Sequence, residues 1–468
     1  MPLPNSPTLW QRARAAGGAA KLRLYGSTET VELGSLTSHS ALSTDPDKLR
    51  GKAVLLATAD QLSAALALLE LDGVARRLVL CPPDLAAGYV PTIIAAAGID
   101  VVVGDSDELR PGGAGIEHVV SSRPCRPRSA AARGASERTE WVLMTSGTTA
   151  APKLVVHTLN TLTGGIGSVV RTPDAVWSTF YDIRRYGGLQ IFLRAIQGGA
   201  SMVLSSAGEA VADFLSRAGE CAVTHMSGTP SHWRRAAMSA AAGKISPRYI
   251  RLSGEISDQT ILDHLQRVYP NAQVAHAFAS TEGGVAFDVR DGLAGFPSSL
   301  VESSSGDLAA PAVQVELRIK DGSLQIRSNR TALGYLRGGI VPLTDLEGFV
   351  DTGDIVERHG GRYHFAGRRD GVINVGGQKV HPEEVEAVIN SHPSVRMSLV
   401  RARSNPITGG IVVAEIMAQA DAPDREAIKR EILDECRQVL ASYKVPAVIR
   451  FVSSLEVAAS GKLMRAHA

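Results

Sequence analysis

Short apolar runs recur along this chain, and their spacing constrains the fold more than any other feature. Between the first two runs, Leu62, Ala65, Leu66 and Leu69 repeat at helical spacing. Apolar runs of this length form buried strands, and strands that alternate with helices build βαβ units. We therefore expect an α/β fold with largely parallel sheets. The runs are residues 53–57, 78–81, 101–103, 202–204 and 274–278.

The pattern changes in the middle of the chain. Apolar and polar residues alternate from Val315 to Ile319 and resume at Leu324, after an Asp321-Gly322 pair. This arrangement predicts a β-hairpin. Residues 355–365 repeat the pattern around Gly360-Gly361. We expect a β-hairpin-rich subdomain in this part of the chain.

A compact α/β tail follows Arg368. Pro382 stands where a helix would begin, and Glu383 and Glu384 suit the first turn of that helix. A second helix is predicted to carry its apolar residues on one face, which makes Cys436 a core thiol. We place the domain boundary at 368–370, giving domains of residues 1–368 and 369–468, each of a plausible size. The apolar residues of the second helix are Ile428, Ile432, Leu433, Cys436, Val439 and Leu440.

Composition excludes several classes of protein. The 468 residues carry a formal net charge of +2, which favours neither nucleic acid nor an anionic membrane as a partner. Residues 106–138 are polar and partly basic but lack interleaved aromatics, so we interpret them as a connector. The first residues lack the apolar run of a signal peptide, and no stretch reaches transmembrane length, so we expect a cytoplasmic protein. Cys81, Cys125, Cys221 and Cys436 lie far apart, without metal-ligand spacing.

Residues 143–154, LMTSGTTAAPKL, have the composition of a phosphate-binding loop. Ser146, Thr148 and Thr149 offer hydroxyls, Gly147 lets the backbone approach a ligand closely, and Lys153 adds a positive charge. The common G-x-x-x-x-G-K-[ST] pattern is absent. A polar surface loop between strands is the alternative interpretation of these residues alone.

Six further segments, in a fixed order, resemble signatures of one family. With the loop above, they are similar to those of the adenylate-forming superfamily, and in particular to AMP-dependent acyl- and aryl-CoA synthetases. The resemblance implies a large N-terminal ATP- and acid-binding domain and a small, mobile C-terminal α+β lid domain. The segments are SGEIS from Ser253, FASTEGG from Phe278, GFVDTGD from Gly348, GRRDGVINVGGQKVHPEEVE from Gly367, SYKVP from Ser442 and SGKLMR from Ser460.

The resemblance implies a nucleotide site. Glu282 would bind Mg²⁺, Thr281 would line the active centre, and Asp354 would accept hydrogen bonds from both ribose hydroxyls. Arg368 would reach the ribose or the phosphates. The family usually has glycine where Ala150 and Leu154 stand, so we expect a stiffer or differently turned phosphate loop. The remaining nucleotide-binding candidates are Thr145, Ser146, Gly147, Thr148, Thr149 and Lys153 for the phosphates, and Ser253, Gly254, Glu255, Phe278, Ala279 and Ser280 around the adenine.

The resemblance also implies a catalytic lysine and a hinge. Lys462 would stabilise charge at the α-phosphate as the acyl-adenylate forms. Asp370 falls where the family keeps the hinge of its C-terminal domain. Gly376 and Gly377 would let a pantetheine arm pass close to the backbone.

The acid-binding pocket is the least defined part of the sequence. The family often has an aromatic-histidine-glycine pattern where this chain has FYDIRRYGGLQ from Phe180. Tyr181, Arg185 and Gly187 are the pocket candidates, with Arg184 as the alternative arginine. A pocket arginine would pair with a polar or anionic group on the substrate, whereas an arginine outside the pocket would face solvent.

The function implied is an ATP-dependent carboxylic acid–CoA ligase that uses ATP, Mg²⁺ and coenzyme A. One alternative is a stand-alone adenylation enzyme that loads an acyl or aryl acid onto the phosphopantetheine arm of a carrier protein. Another is a catalytically silent nucleotide-binding scaffold. The sequence leaves open which small carboxylic acid is the substrate and what the oligomeric state is.

Overall fold

A computed structural model describes residues 6–16, 22–105, 116–127, 137–145, 152–166, 174–302, 315–405, 409–419, 424–457 and 462–464. The α-helices are α1 Leu9–Ala15, α2 Gln61–Leu71, α3 Val90–Ala97, α4 Leu159–Thr163, α5 Tyr186–Gly198, α6 Val211–Glu220, α7 Pro230–Ala237, α8 Gln259–Val268, α9 Ser299–Glu302, α10 Pro382–Ser391 and α11 Arg425–Val439. The first strands are β1 Arg23–Tyr25, β2 Thr30–Glu32, β3 His39–Leu42, β4 Ala53–Leu56, β5 Arg77–Leu80, β6 Val101–Gly104, β7 Glu117–Pro127, β8 Glu140–Thr145, β9 Lys153–Thr158, β10 Val176–Thr179, β11 Ser201–Val203, β12 His225–Gly228 and β13 Tyr249–Ser253. The later strands are β14 Gln273–Ser280, β15 Gly284–Val289, β16 Phe296–Pro297, β17 Val315–Lys320, β18 Ser323–Ser328, β19 Gly334–Leu336, β20 Ile340–Val341, β21 Val350–His359, β22 Arg362–Arg368, β23 Ile373–Val375, β24 Gln378–Val380, β25 Val395–Asn405, β26 Gly409–Ala418 and β27 Val448–Phe451.

A nine-stranded sheet, in the order β20-β19-β9-β8-β5-β4-β6-β7-β3, confirms the βαβ prediction for the first part of the chain. Strand β4 pairs in parallel with both β5 and β6, and every residue of β4 is buried. Helix α2 begins at the N-cap Asp60, whose side chain accepts the N–H of Ser63, and is buried along its whole length. Strands β8 and β9 are antiparallel and close on the predicted phosphate loop, with Thr145 opposite Lys153.

Strand β7 corrects the interpretation of residues 106–138 as a connector. Its residues pair in parallel with β6 and antiparallel with β3, and Val119 lies in the core. The polar composition of the segment concealed this strand, because its backbone pairs with strands on both sides without an apolar run that would mark it in the sequence. Residues 106–115 and 128–136 lie outside the described part of the chain.

An eight-stranded sheet, in the order β15-β14-β13-β12-β10-β11-β1-β2, carries the nucleotide motifs. Strands β10 to β14 are parallel where they pair, and β15 is antiparallel to β14. Ser253 ends β13 opposite Ala277, and Ser280 ends β14. Ligands of α/β proteins bind beyond the carboxyl ends of parallel strands, so both motifs lie where a site is expected.

A five-stranded antiparallel sheet, β16-β22-β21-β18-β17, confirms both predicted hairpins. Asp321 and Gly322 have φ values of 52° and 74°, as a two-residue turn between tightly paired strands requires. In the second hairpin Asp354 of β21 lies opposite Arg368 of β22. The hairpin therefore brings together residues from two separate motifs.

The C-terminal part has its own core, which extends from Ile373 to Ile449 and packs α10 and α11 against the sheet β25-β26-β27. Helix α10 begins at Pro382, as predicted, and Cys436 is fully buried. The prediction for Val439 is wrong, because this residue is 70% exposed. Helix α11 ends there, whereas the following residue, Leu440, is buried as predicted. No helix in the described ranges is long and apolar enough to cross a membrane.

Candidate active site

Residues 253–255 form the floor of the candidate site, directly after β13. Gly254 has a φ of 85°, which favours glycine. The Oη atom of Tyr181 donates a hydrogen bond of 2.5 Å to the carbonyl of Ser253. The Cε atom of Lys462 lies 3.6 Å from the position that a Cβ atom would take at Gly254. Residues from three distant parts of the sequence therefore meet at Gly254.

Lys462 lies among four charged residues. It is attracted by Glu255 and Asp354 and repelled by Arg368 and Arg185. Lys462 is an exposed residue by its accessible surface, although the surrounding protein still desolvates its ammonium. Burial therefore lowers the pKa of Lys462, the two arginines lower it further, and the two carboxylates oppose the shift. The structure thus brings the predicted catalytic lysine to the predicted nucleotide-binding residues.

Asp354 and Arg368 form a polar pair beside Lys462. Their Oδ1 and Nη1 atoms are 3.9 Å apart, and Arg368 also donates from Nε to Asp370 over 3.1 Å. Burial raises the pKa of Asp354, and the neighbouring Arg368 is the main opposing influence. Both Asp354 oxygens remain usable as acceptors for a ribose, because a carboxylate offers several lone pairs.

Glu282, the predicted Mg²⁺ ligand, has a neighbour that the sequence analysis missed. The Oη atom of Tyr335 donates a hydrogen bond of 3.1 Å to Glu282 Oε1. The Nζ atom of Lys153 lies 5.3 Å from the centre of the same ring, within the range of a cation–π contact. Tyr335 lies in β19, which pairs with the phosphate strand β9 opposite Val155. Only this long-range pairing brings Tyr335 to the site, and no motif in the sequence marks it.

The donor set around Glu282 fits Mg²⁺. No group of three or more His, Cys, Asp or Glu side chains that would hold a metal occurs among the residues that the structure describes. A hard cation that bridges phosphates needs only one or two carboxylates, with phosphate oxygens and water completing its shell. One oxygen of Glu282 is oriented by Tyr335, and among the residues that the structure describes the other oxygen accepts no hydrogen bond that would compete with a cation.

Thr281 is held by a buried histidine that the sequence analysis also missed. His157 Nε2 donates to the Thr281 carbonyl over 2.7 Å, and its Nδ1 lies 3.0 Å from Thr161 Oγ1. Burial lowers the pKa of His157 to about 4, so the ring is neutral at physiological pH. A neutral buried imidazole suits a positioning role for the Thr281 segment.

Phe278, the predicted adenine neighbour, also belongs to an aromatic cluster. Its ring stacks on Phe365 with centroids 4.9 Å apart and on Phe287 with centroids 5.8 Å apart. Farther along the motif, Ala279 pairs with Val285, and Ser280 Oγ accepts the N–H of Gly283 over 2.9 Å. The backbone of the FASTEGG motif is thus fixed by its own side chains and by β15.

The phosphate-loop predictions are only partly within the described residues. Thr145 and Lys153 face each other at the ends of β8 and β9. Ser146, Gly147, Thr148, Thr149 and Ala150 lie outside the described residues. Leu154, by contrast, is buried in the core next to the sheet. The side chain of Leu154 therefore packs β9 against the core.

The two candidate pocket arginines differ in their partners. Arg184 is buried, forms a 2.5 Å ion pair with Asp182 and donates to the carbonyl of Thr58. Arg185 pairs with Asp84 over 2.5 Å and also influences Lys462. A Cβ atom at Gly187 would lie 3.5 Å from the Tyr181 ring. Arg184 is thus part of the core, whereas Arg185 is half-buried and repels the Lys462 ammonium.

Gly376 and Gly377 form the turn between β23 and β24, with φ values of 57° and 85°. Apart from the adjacent residues of the turn, no atom of the described part of the chain lies within 4 Å of the position that a Cβ atom would take at either glycine. The structure therefore presents the backbone of this turn openly. Two histidines lie on strands of the eight-stranded sheet: the half-buried His225 contacts Thr224 and Trp177, and the buried His276 donates from Nε2 to the Leu293 carbonyl.

Known proteins resemble both parts of this chain. The model of the AMP-binding enzyme family matches residues 58–336, and that of the AMP-binding enzyme C-terminal domain matches residues 384–462. A 2-succinylbenzoate–CoA ligase of Salmonella typhimurium is 29% identical over 55% of this chain and 53% of its own length. The acyl-CoA ligase ppsA of Aspergillus oryzae is 31% identical over 47% of this chain and 41% of its own length. The chain thus spans about half the length of these curated relatives.

A solved structure extends the likeness over nearly the whole chain. The anthranilate CoA ligase AuaEII, in complex with anthranoyl-AMP, aligns with a TM-score of 0.78 and 19% sequence identity. The alignment covers 98% of this chain and 96% of that one, which confirms the predicted fold class. Because the first family model alone matches more than half of the residues, the chain belongs to the adenylate-forming AMP-binding enzyme family.

Proposed function

We propose that this protein is an ATP-dependent carboxylic acid–CoA ligase. In the first step the acid and ATP give an acyl-adenylate and pyrophosphate. In the second step the thiol of coenzyme A takes the acyl group and AMP leaves. The observation that carries the proposal is the approach of Lys462 to Gly254, beside Asp354 and Arg368. A lysine brought over a nucleotide site from a separate domain suits charge stabilisation during adenylation.

The first step needs positioning more than acid–base chemistry. A substrate carboxylate oxygen attacks the α-phosphorus of ATP, a new P–O bond forms, and the bond to the β-phosphate oxygen breaks with departure of pyrophosphate. Lys462 would stabilise the negative charge that gathers on the carboxylate and the α-phosphate. Thr145 and Lys153, with Ser146, Gly147, Thr148 and Thr149, would hold the β- and γ-phosphates. Mg²⁺ held by Glu282 would neutralise phosphate charge.

The nucleoside would lie against the ends of β13 and β14. Asp354 would accept hydrogen bonds from the ribose hydroxyls, with Arg368 beside it. Phe278, Ala279, Ser280 and Thr281 would line one side of the adenine, and Ser253, Gly254 and Glu255 the other. The stacked environment of Phe278 supports this placement, because a fixed aromatic ring offers a preformed surface.

The second step would require movement of the C-terminal domain. We place the domain boundary between 368 and 369 and the hinge at Asp370, and the separate core that begins at Ile373 supports this division. Rotation would withdraw Lys462 and bring the open turn at Gly376-Gly377 to the acyl-adenylate. The CoA thiolate would then attack the acyl carbon, form the thioester and release AMP. An Asp351–Arg369 ion pair of 3.0 Å ties this hinge region to β21.

The acid would bind near Tyr181, Arg185 and Gly187. The ion pair between Arg185 and Asp84 offsets part of the arginine's charge. This supports a small carboxylic acid whose remaining groups are uncharged or only weakly polar. A dianionic acid would have to compete with Asp84 for the guanidinium.

The test is acid-dependent release of pyrophosphate from ATP and Mg²⁺, across aryl, fatty and dicarboxylic acids, with and without CoA. Acyl-CoA formation that Lys462→Ala removes is the expected result. Release of pyrophosphate without thioester formation, followed by transfer to a carrier protein's phosphopantetheine, would replace CoA by a carrier as the acceptor. Binding of ATP with no release for any acid would favour a silent scaffold.

A further inference from the structure

Glu255 joins the two domains through both of its carboxylate oxygens. Oε2 accepts the backbone N–H of Ser231, in the first turn of α7, over 2.9 Å. Oε1 accepts the backbone N–H of Leu463 over 3.1 Å. Leu463 directly follows Lys462. A single side chain of the nucleotide-binding domain therefore holds the segment that carries the lysine.

The N-terminal side of this contact is rigid. Helix α7 begins with a capping box between Thr229 and His232, which fixes the orientation of the Ser231 N–H. Ser253 is held by Tyr181, two residues before Glu255. Groups on a well-supported backbone position a partner more accurately than groups on a loose one. Glu255 thus offers a fixed hydrogen-bond acceptor to the segment that carries Lys462.

Glu255 also sets the charge balance at Lys462. The charged groups that face the ammonium are two carboxylates, Glu255 and Asp354, and two guanidiniums, Arg368 and Arg185. Glu255 has the largest influence of the four. Without its charge, two cations and one anion would remain, and the ammonium would lose its proton more easily.

We propose that the side chain of Glu255 positions Lys462, while the backbone of Glu255 stays beside the adenine. It accepts the Leu463 N–H and so places the lysine beside the nucleotide site, and its negative charge favours the protonated ammonium. The inference rests on the proposed function for the meaning of that placement. Because the proposed domain rotation would break this contact, Glu255 would act in adenylation and not in thioester formation.

The first test needs no substrate. Acetylation of Lys462 by acetic anhydride, measured by mass spectrometry against pH, reports the pKa of its ammonium. Glu255→Gln keeps the size of the side chain but removes its charge, so the labelling midpoint is expected to fall by about one pH unit, the order of effect of one nearby charge. Hydrogen exchange at the Leu463 amide is expected to become faster in Glu255→Ala, because the acceptor is lost.

The matched control is Glu456→Gln. Glu456 is an exposed carboxylate of the same C-terminal segment, and its backbone carbonyl accepts the N–H of Met464 over 3.0 Å. This variant removes the same charge and is expected to label Lys462 as the wild type does. An unchanged midpoint in Glu255→Gln, or an equal shift in both variants, would overturn the inference.

The second test separates the half-reactions. With an acid that the wild type activates, Glu255→Gln is expected to lower kcat for adenylation at least tenfold at pH 8, about the effect of losing one group that orients a catalytic side chain. The alkaline limit of the pH profile should move to lower pH, since a lower pKa of Lys462 means earlier loss of its proton. Conversion of the synthetic acyl-adenylate by CoA should be unchanged.

An equal loss in both half-reactions would contradict a role confined to adenylation. If the wild type activates no acid while Lys462 labelling still shifts in Glu255→Gln, the proposed function fails but the link between the two residues holds. If the wild type is active and the labelling does not shift, the proposed function holds but the link between Glu255 and Lys462 fails. The two ideas are therefore tested separately.

Discussion

The hydroxyl of Tyr335 donates a hydrogen bond of 3.1 Å to Glu282 Oε1, and the centre of its ring lies 5.3 Å from the Lys153 ammonium. One side chain therefore links the proposed Mg²⁺ ligand to the proposed phosphate-binding lysine. Burial raises the pKa of Tyr335 to about 12, so its hydroxyl remains a donor at every working pH. The link orients the free oxygen of Glu282.

Tyr335→Phe keeps the ring under Lys153 and removes only the hydrogen bond to Glu282. We expect the Mg²⁺ concentration for half-maximal activity to rise about fivefold, which corresponds to about 1 kcal/mol for one hydrogen bond. Tyr335→Leu also removes the cation–π contact and should raise the KM for ATP. Titration of both variants with Mg²⁺ and with ATP checks this. An equal effect of the two variants on metal dependence and on KM would speak against separate roles for the hydroxyl and the ring.

Lys462→Ala should abolish most adenylation while sparing thioester formation. Loss of one preorganised charge at a developing anion lowers kcat by about 10²–10³-fold. The measurement is pyrophosphate release in the first half-reaction and CoA consumption from a synthetic acyl-adenylate in the second. Lys429→Ala, on α11 far along the chain from the motifs, is a suitable control, because this partly exposed lysine pairs with the exposed Glu426 over 3.7 Å. A comparable loss in the control would point to damage of the whole C-terminal domain.

Asp354→Asn should weaken activity while leaving stability unchanged or improved. Burial raises the pKa of Asp354, so above that pKa the ionised carboxylate costs folding free energy. Asparagine removes this cost, and also removes acceptor capacity for the ribose. Thermal unfolding at pH 7 should give an equal or higher Tm, and the preference for ATP over 2′-deoxy-ATP should shrink. A lower Tm together with an unchanged nucleotide preference would contradict a ribose role.

His157 should make folding stability depend on pH. Its pKa is about 4 in the folded protein and about 6.5 when unfolded, so the unfolded chain binds a proton more readily in this range. Stability is therefore lost as the pH falls from about 6.5 towards 4, by about 3 kcal/mol from this group. His157→Gln, which can still donate to the Thr281 carbonyl, should reduce the loss. Urea unfolding at pH 7.5 and pH 5 measures the difference, and an identical pH dependence in both proteins would exclude His157 as the source.

The two neighbouring arginines should respond differently to substitution. Arg184→Met leaves the carboxylate of Asp182 without its buried partner, and breaking such a pair costs about 3–5 kcal/mol of stability. Arg185→Met frees Asp84, which is partly exposed, and should leave the fold intact while changing which acids are activated. Denaturant unfolding and the acid panel together separate the two effects. A large loss of stability in Arg185→Met would place this residue in the core as well.

Local patterns were enough to predict many elements of the fold. The buried strand β4 and the hairpin of β17 and β18 follow from a few consecutive residues, because apolar runs and an Asp-Gly turn restrict the backbone locally. Val439 and β7 show the limit of such patterns. Whether a helix continues past a residue, or whether a polar segment pairs with distant strands, depends on contacts that the local pattern does not contain.

The candidate site divides in the same way. The sequence by itself predicted which groups would carry the chemistry, because a carboxylate such as Asp354 and an ammonium such as Lys462 stand in ordered motifs of the family to which the chain belongs. Only the tertiary structure decided how those groups are held: Tyr335 reaches Glu282, His157 reaches Thr281 and Glu255 reaches Leu463. The physical reason is that these hydrogen bonds join residues far apart in the chain. Their short-range geometry exists only after the sheets pair and the C-terminal segment docks.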